Sequence, residues 1–142
     1  MLNFVIHTVK MYLTLLILLV TLTNVYCVSD EIKELMNNLH KTCVGNTGVD
    51  EALIVNANKG QFEEDEKFKC YTRCIFDEVG LFDDDNKFDV EGAIAMLPDE
   101  MKDTILGSVI KECGASSTGS CQSMFELNKC IYKGAPDLYF LA

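Results

Sequence analysis

Two cysteines stand one helical turn apart in Cys70-Tyr71-Thr72-Arg73-Cys74, and Cys43, Cys113, Cys121 and Cys130 lie around them. Thiols can ligate a metal, attack a carbonyl or close into disulfides. Attack on a carbonyl usually needs an imidazole nearby, and a metal cluster would need thiolates in a reducing compartment or added His ligands. The chain holds only His7, in its apolar leader, and His40. His40 falls late in a predicted helix, where the imidazole commonly favours the helix dipole. No His-Glu-x-x-His, no Gly-x-Ser-x-Gly and no phosphate-cradling glycine loop occurs, so the chain reads as a non-enzyme without metal or cofactor. The acidic run Asp83-Asp84-Asp85 suggests a calcium loop. An EF-hand needs oxygen ligands at alternate positions, glycine at the sixth and glutamate at the twelfth. Counted from Asp83, the fifth, sixth and twelfth positions hold Lys87, Phe88 and Ile94, which leaves a polar turn.

Disulfides remain. Residues 1–27 read as an export signal: His7 and Lys10 open it, an apolar run from Met11 to Leu22 follows, and Val25 and Cys27 suit a peptidase site. That run is too short to cross a bilayer, which takes about 20 residues. Removal of the signal takes Cys27 with it and leaves six cysteines in one domain, residues 28–142. An even set in a small exported chain implies a disulfide framework. Lys10 is the only charged residue lost, so the formal charge moves from −10 to −11. Such an acidic surface repels nucleic acid and anionic membranes. No Asn-x-Ser/Thr glycosylation site is present.

The elements that must position these thiols all read as helices. Ser29-Asp30-Glu31 opens the first, with Ile32, Leu35, Met36, Leu39 and Cys43 on one face and Gly45-Asn46-Thr47-Gly48 breaking it. A short second helix covers Asp50 to Asn56. The acidic run Glu63–Glu66 starts a central helix that carries Phe68, Tyr71, Ile75, Phe76 and Val79 and stops at Gly80. Asp89 caps a fourth, running to about Met96, and Pro98 precedes a fifth over Asp99 to Glu112. Ser120 caps a sixth, to about Lys133, with Met124, Leu127, Asn128 and Ile131 on one stripe. In a helix, residues i and i+4 point from one face, so Cys70 and Cys74 favour separate partners. Six cysteines allow 15 pairings; excluding Cys70–Cys74 leaves 12. Cys121 and Cys130 stand about half a turn apart on one helix and should serve different neighbours. Geometry goes no further.

The ladder C-x26-C-x3-C-x38-C-x7-C-x8-C resembles the insect odorant-binding protein family, specifically its six-cysteine group. The match extends to Cys70-Tyr71-Thr72-Arg73-Cys74, to the polar turn leading to Ala95-Met96-Leu97-Pro98, and to the proline-then-aromatic C-terminus. The resemblance implies the pairs Cys43–Cys74, Cys70–Cys121 and Cys113–Cys130. It also implies a compact all-α domain of six helices around an apolar pocket.

Within such a domain the candidate ligand wall comprises Thr72, Phe76, Phe88, Met96, Met124, Phe125, Tyr132, Tyr139, Phe140 and Leu141. Thioethers adapt to several ligand shapes, and Thr72 is the expected polar anchor, unless its hydroxyl bonds back to its own helix. The apolar ending Leu138-Tyr139-Phe140-Leu141 is expected to fold back as wall or lid, held through Asp137 or the terminal carboxylate and loosened by acid. Burying about 300–400 Å² of ligand yields roughly 7–10 kcal/mol gross, which supports about micromolar affinity after association costs. The resemblance thus implies a secreted carrier of small hydrophobic molecules through aqueous lymph. Its partners are the ligand, a membrane chemoreceptor at delivery and a second copy in a weak homodimer, with no nucleic acid and no stable membrane insertion. The alternative is a non-olfactory interaction protein of reproductive, salivary or haemolymph fluid, its core simply full.

Overall fold

A computed structural model of the chain describes residues 10–12 and 30–142. The expected signal, residues 1–27, lies outside the described residues except for 10–12, which are helical. The chain divides into a small unit, Met1–Glu34, and a larger one, Leu35–Ala142, which carries the three disulfides and both apolar clusters of the core. Among the described residues, no helix is long and apolar enough to cross a membrane.

From Asp30 onward the fold is all-α: α1 (Asp30–Thr47), α2 (Glu51–Ala57), α3 (Glu66–Glu78), α4 (Val90–Ala95), α5 (Asp99–Lys102), α6 (Ile105–Gly114), α7 (Cys121–Gly134) and a closing 3-10 turn, Pro136–Leu138. Short polar side chains set the starts. Asp50, Asp65, Asp89 and Ser120 each accept a hydrogen bond from a backbone N–H of the first turn, which would otherwise lack a partner. α1 runs through Gly45 and ends only at Gly48, whose φ of +63° suits a residue without Cβ.

One predicted helix is two. The stretch Asp99 to Glu112 divides at Thr104, whose hydroxyl donates to the Met101 carbonyl at 2.6 Å and accepts from the Leu106 N–H at 3.3 Å. Among the described residues from Asp30 onward, seven α-helices therefore stand where six were expected. The Asp83 turn closes on itself: one Asp83 carboxylate oxygen accepts from the N–H groups of Asp85 and Lys87, at 3.0 and 2.8 Å. Isolated β-bridges join Phe82 to Phe88 and Lys87 to Thr118.

Disulfides join Cys43 to Cys74, Cys70 to Cys121 and Cys113 to Cys130. α3 is thus stapled to α1 and α7, and α7 to α6. Arg73, between the two staples of α3, donates to the Gly119 carbonyl and to Asp77 at 2.9 Å, which fastens the loop ahead of α7.

The core has two apolar clusters. The first gathers Leu39 and Cys43 of α1, Ile54 of α2, Phe68, Tyr71 and Ile75 of α3, Phe125 of α7, and Leu141. The second gathers Phe88, Ala93 of α4, Leu106, Val109 and Ile110 of α6, and Met124, Leu127 and Ile131 of α7. Adjacent residues of α7 divide between them, Phe125 into the first and Met124 into the second. Val79 and Tyr139 pack against both.

Candidate site at the seam of the two clusters

Tyr139 is the residue that the tail contributes to this seam. Its hydroxyl donates to Oδ1 of Asn128 at 2.9 Å, and its ring meets Tyr132 edge-on with centroids 5.4 Å apart. Phe62, from the linker between α2 and α3, completes the nest, with ring centroids 6.0 Å from Tyr139, 5.7 Å from Tyr132 and 6.1 Å from Phe125. Such edge-to-face pairs favour one another through opposed quadrupoles. Gly60 permits the approach, since a Cβ there would collide with the Tyr132 ring. Phe125 is roofed by Lys129 and Lys69, whose ammonium groups lie 5.0 and 5.8 Å from its centroid. Lys69 hydrogen-bonds Glu64 and Glu66, each at 2.9 Å. Those bonds hold its pKa above the ordinary lysine value and that of Glu64 below the carboxylate range.

The tail folds back onto the first cluster. Asn58 grips it by donating from Nδ2 to the Leu141 carbonyl at 3.0 Å and accepting the Leu141 N–H at 2.8 Å. Tyr71 donates its hydroxyl to the main-chain oxygen of Ala142, the last residue. Nδ1 of His40 lies 3.1 Å from that hydroxyl, and its Nε2 lies 3.2 Å from Glu51. His40 therefore sits in the network that reaches the tail. The holding bonds come from Asn58, to Leu141, and from Tyr71, to the main-chain oxygen of the last residue; of the two expected holding points the one at the chain's end is engaged, and among the described hydrogen bonds Asp137 has no part.

The predicted wall residues separate into groups. Phe125, Leu141 and Tyr139 meet in the first cluster, with Tyr132 beside them; Met124 and Phe88 are buried in the second, with Phe76 packed on its edge, 5.3 Å from Phe88 between centroids. Two do not join. Met96 is 55% exposed, because the inward stripe of α4 runs through Val90, Ala93 and Ile94 and on to Leu97 just past its end, and Met96, the C-cap, falls about a third of a turn off it. Phe140 is 66% exposed. The backbone at Tyr139 is extended, so side chains alternate: Tyr139 and Leu141 turn inward and Phe140 outward. Thr72 is fully buried, but its hydroxyl donates to the Lys69 carbonyl at 2.7 Å, so its proton is engaged within its own helix. Sequence reasoning misses Phe62 and Asn58. The available signals are a lone aromatic in an acidic linker and an amide placed just past α2.

Burial raises the pKa of both Tyr71 and Tyr139 above the ordinary tyrosine range, with smaller contributions from the charge of Glu51 on Tyr71 and from Tyr71 on Tyr139. Each phenol is neutral when protonated. The stability they contribute is therefore complete below the unfolded tyrosine pKa, near 10, and is lost as pH rises from there toward the folded values. In alkaline titration followed by phenolate absorbance, the signal removed by Y71F/Y139F should belong to a late phase that coincides with unfolding. A difference confined to the ordinary tyrosine range would contradict the burial.

The PBP/GOBP family model matches residues 26–134. The chain is 30% identical over 97 residues to general odorant-binding protein 69a of Drosophila melanogaster, covering 67% of this chain and 65% of that one. It is 27% identical over 128 residues to the B1 protein of Tenebrio molitor, covering 89% and 96%. Among solved structures, odorant binding protein 4 of Chrysopa pallens superposes with a TM-score of 0.69 at 26% identity, covering 82% of this chain and all of that one. Odorant binding protein 5 of Apis mellifera superposes with 0.65 at 26% identity, covering 82% and 98%. A family model spanning most of the chain, together with a shared fold over the whole length of a solved relative, leads to one conclusion: this chain belongs to the PBP/GOBP family.

Proposed function

We propose that the chain is a secreted carrier that takes up a small hydrophobic molecule at the seam between its two clusters and delivers it through an aqueous fluid. The observation that carries this reading is Tyr139, which touches both clusters from a tail gripped by Asn58 and Tyr71. A tail fixed by few bonds can separate from the helices and admit an apolar molecule while three disulfides keep those helices in place. The wall is apolar and aromatic, formed by Phe125, Tyr132, Tyr139, Leu141 and Phe62 on one side and by Met124, Phe76 and Phe88 on the other. It is suited to dispersion contact with ligands of several shapes. The named odorant-binding relatives support the same class of cargo.

The test is titration with a fluorescent apolar probe. One-to-one binding at about micromolar affinity, reversed by added hydrophobic competitors, is the expected result. Absence of displaceable binding would overturn the carrier reading and favour an interaction protein with a filled core.

A further inference from the structure

Resting on that carrier reading, we propose that the seam selects hydrophobic molecules that bring a hydrogen-bond donor, alcohols and phenols, over ketones and ethers of the same skeleton, through the oxygen of Tyr139. Asn128, on an otherwise apolar stripe of α7, is only 2% exposed. Its Nδ2 donates to the Met124 carbonyl at 2.8 Å. A carbonyl can only accept, so the amide nitrogen must face Met124 and Oδ1 must face Tyr139. Oδ1 in turn can only accept, so the Tyr139 hydroxyl must donate, at 2.9 Å. Its proton is committed; the lone pairs on its oxygen are what it still offers.

The same polarity recurs. Thr72 commits its proton to the Lys69 carbonyl and Tyr71 to the main-chain oxygen of Ala142, so all three hydroxyls donate inward to protein oxygens. Of the three, only Tyr139 packs against both clusters. Burial keeps its phenol neutral well past physiological pH. Asn128 retains a second amide hydrogen, but it belongs to a side chain nearly closed off, whereas Tyr139 is half-buried and meets a ligand first. An alcohol completes a bond to that oxygen. A ketone sets one lone pair against another and leaves its own oxygen without a donor, a difference of about tenfold in affinity. Asn128 acts as a positioning residue, since it fixes which way the phenol proton points.

Two matched pairs, each displacing the fluorescent probe, test this: menthol against menthone, and thymol against its methyl ether. The second pair is the sharper, because the ether is the more apolar member and burial of area alone would favour it. Wild-type protein should bind menthol and thymol about tenfold tighter than their partners. Asn128→Leu, close in shape, frees the phenol proton; menthone and the ether should then gain on menthol and thymol and both gaps should narrow, each pair being compared within the variant against the probe affinity measured for that variant. Equal affinities within both wild-type pairs, with the probe still bound one to one, overturn the donor preference and leave the carrier reading standing. Gaps that persist undiminished in folded Asn128→Leu overturn the role of Tyr139. Failure of the probe itself to bind overturns the carrier reading. The wild-type pairs need no substitution, so they decide the donor preference even if Asn128→Leu does not fold.

Discussion

Replacing Cys70 and Cys121 together by alanine should lower the free energy of unfolding by about 4 kcal/mol. The bond joins residues 51 apart in sequence, the longest loop of the three, and the entropy removed from the unfolded chain grows with the logarithm of that separation. The Cys113–Cys130 pair spans only 17 residues, and its removal should cost about 3 kcal/mol on the same scale. Domains of this kind unfold with roughly 5–15 kcal/mol in all, so either loss is a large fraction of the total. The effect should be felt at the α3–α7 contact in particular, because both clusters draw on those two helices. Urea unfolding of the two double variants, each with its other disulfides intact, gives the measurement. A smaller loss for Cys70/Cys121 than for Cys113/Cys130 would show that loop closure does not govern these staples.

What could be read from the sequence was what is encoded locally. Asp50, Asp65, Asp89 and Ser120 cap their helices within a few residues, and three-and-four spacing places Phe68, Tyr71 and Ile75 on one buried face. The break at Thr104 was hidden because the apolar residues Met101, Ile105, Leu106 and Val109 keep a helical rhythm across it. Gly107 marks it in retrospect, since any Cβ there would strike the Lys102 carbonyl. Direction was harder to read than type. Met96 and Phe140 are apolar, yet one sits off the stripe of a short helix and the other on the outer side of an extended tail. The grip of Asn58 on Leu141 joins residues 83 apart, and no periodicity carries that information. Asn128 is the intermediate case. A polar residue on an apolar stripe was visible, but its partner Tyr139 became evident only once the tail was placed.

Asn58→Ala should release the tail and weaken probe binding about tenfold while leaving the helices folded. The tail is held close to balance. Burial of Leu141, only 4% exposed, contributes about 1.5–3 kcal/mol. The two bonds from Asn58 and the one from Tyr71 add about 1 kcal/mol each. Ordering the backbone from Tyr139 to Ala142 costs about 1–2 kcal/mol per residue, which nearly cancels that sum before the Tyr139 ring is counted. Loss of both Asn58 bonds, about 2 kcal/mol, is therefore enough to tip the tail outward. A chain ending at Ala135 goes further, since it also loses the Tyr139 and Leu141 side chains, and its probe affinity should fall by more than that of Asn58→Ala. In both variants far-ultraviolet circular dichroism should stay close to wild type, because the disulfides and both clusters keep their helical members. Amide exchange at Leu141, whose N–H is bonded to Asn58 in the wild type, should become faster in Asn58→Ala. Faster exchange with unchanged affinity would separate the tail from the site; unchanged exchange would show that Asn58 is not what holds it.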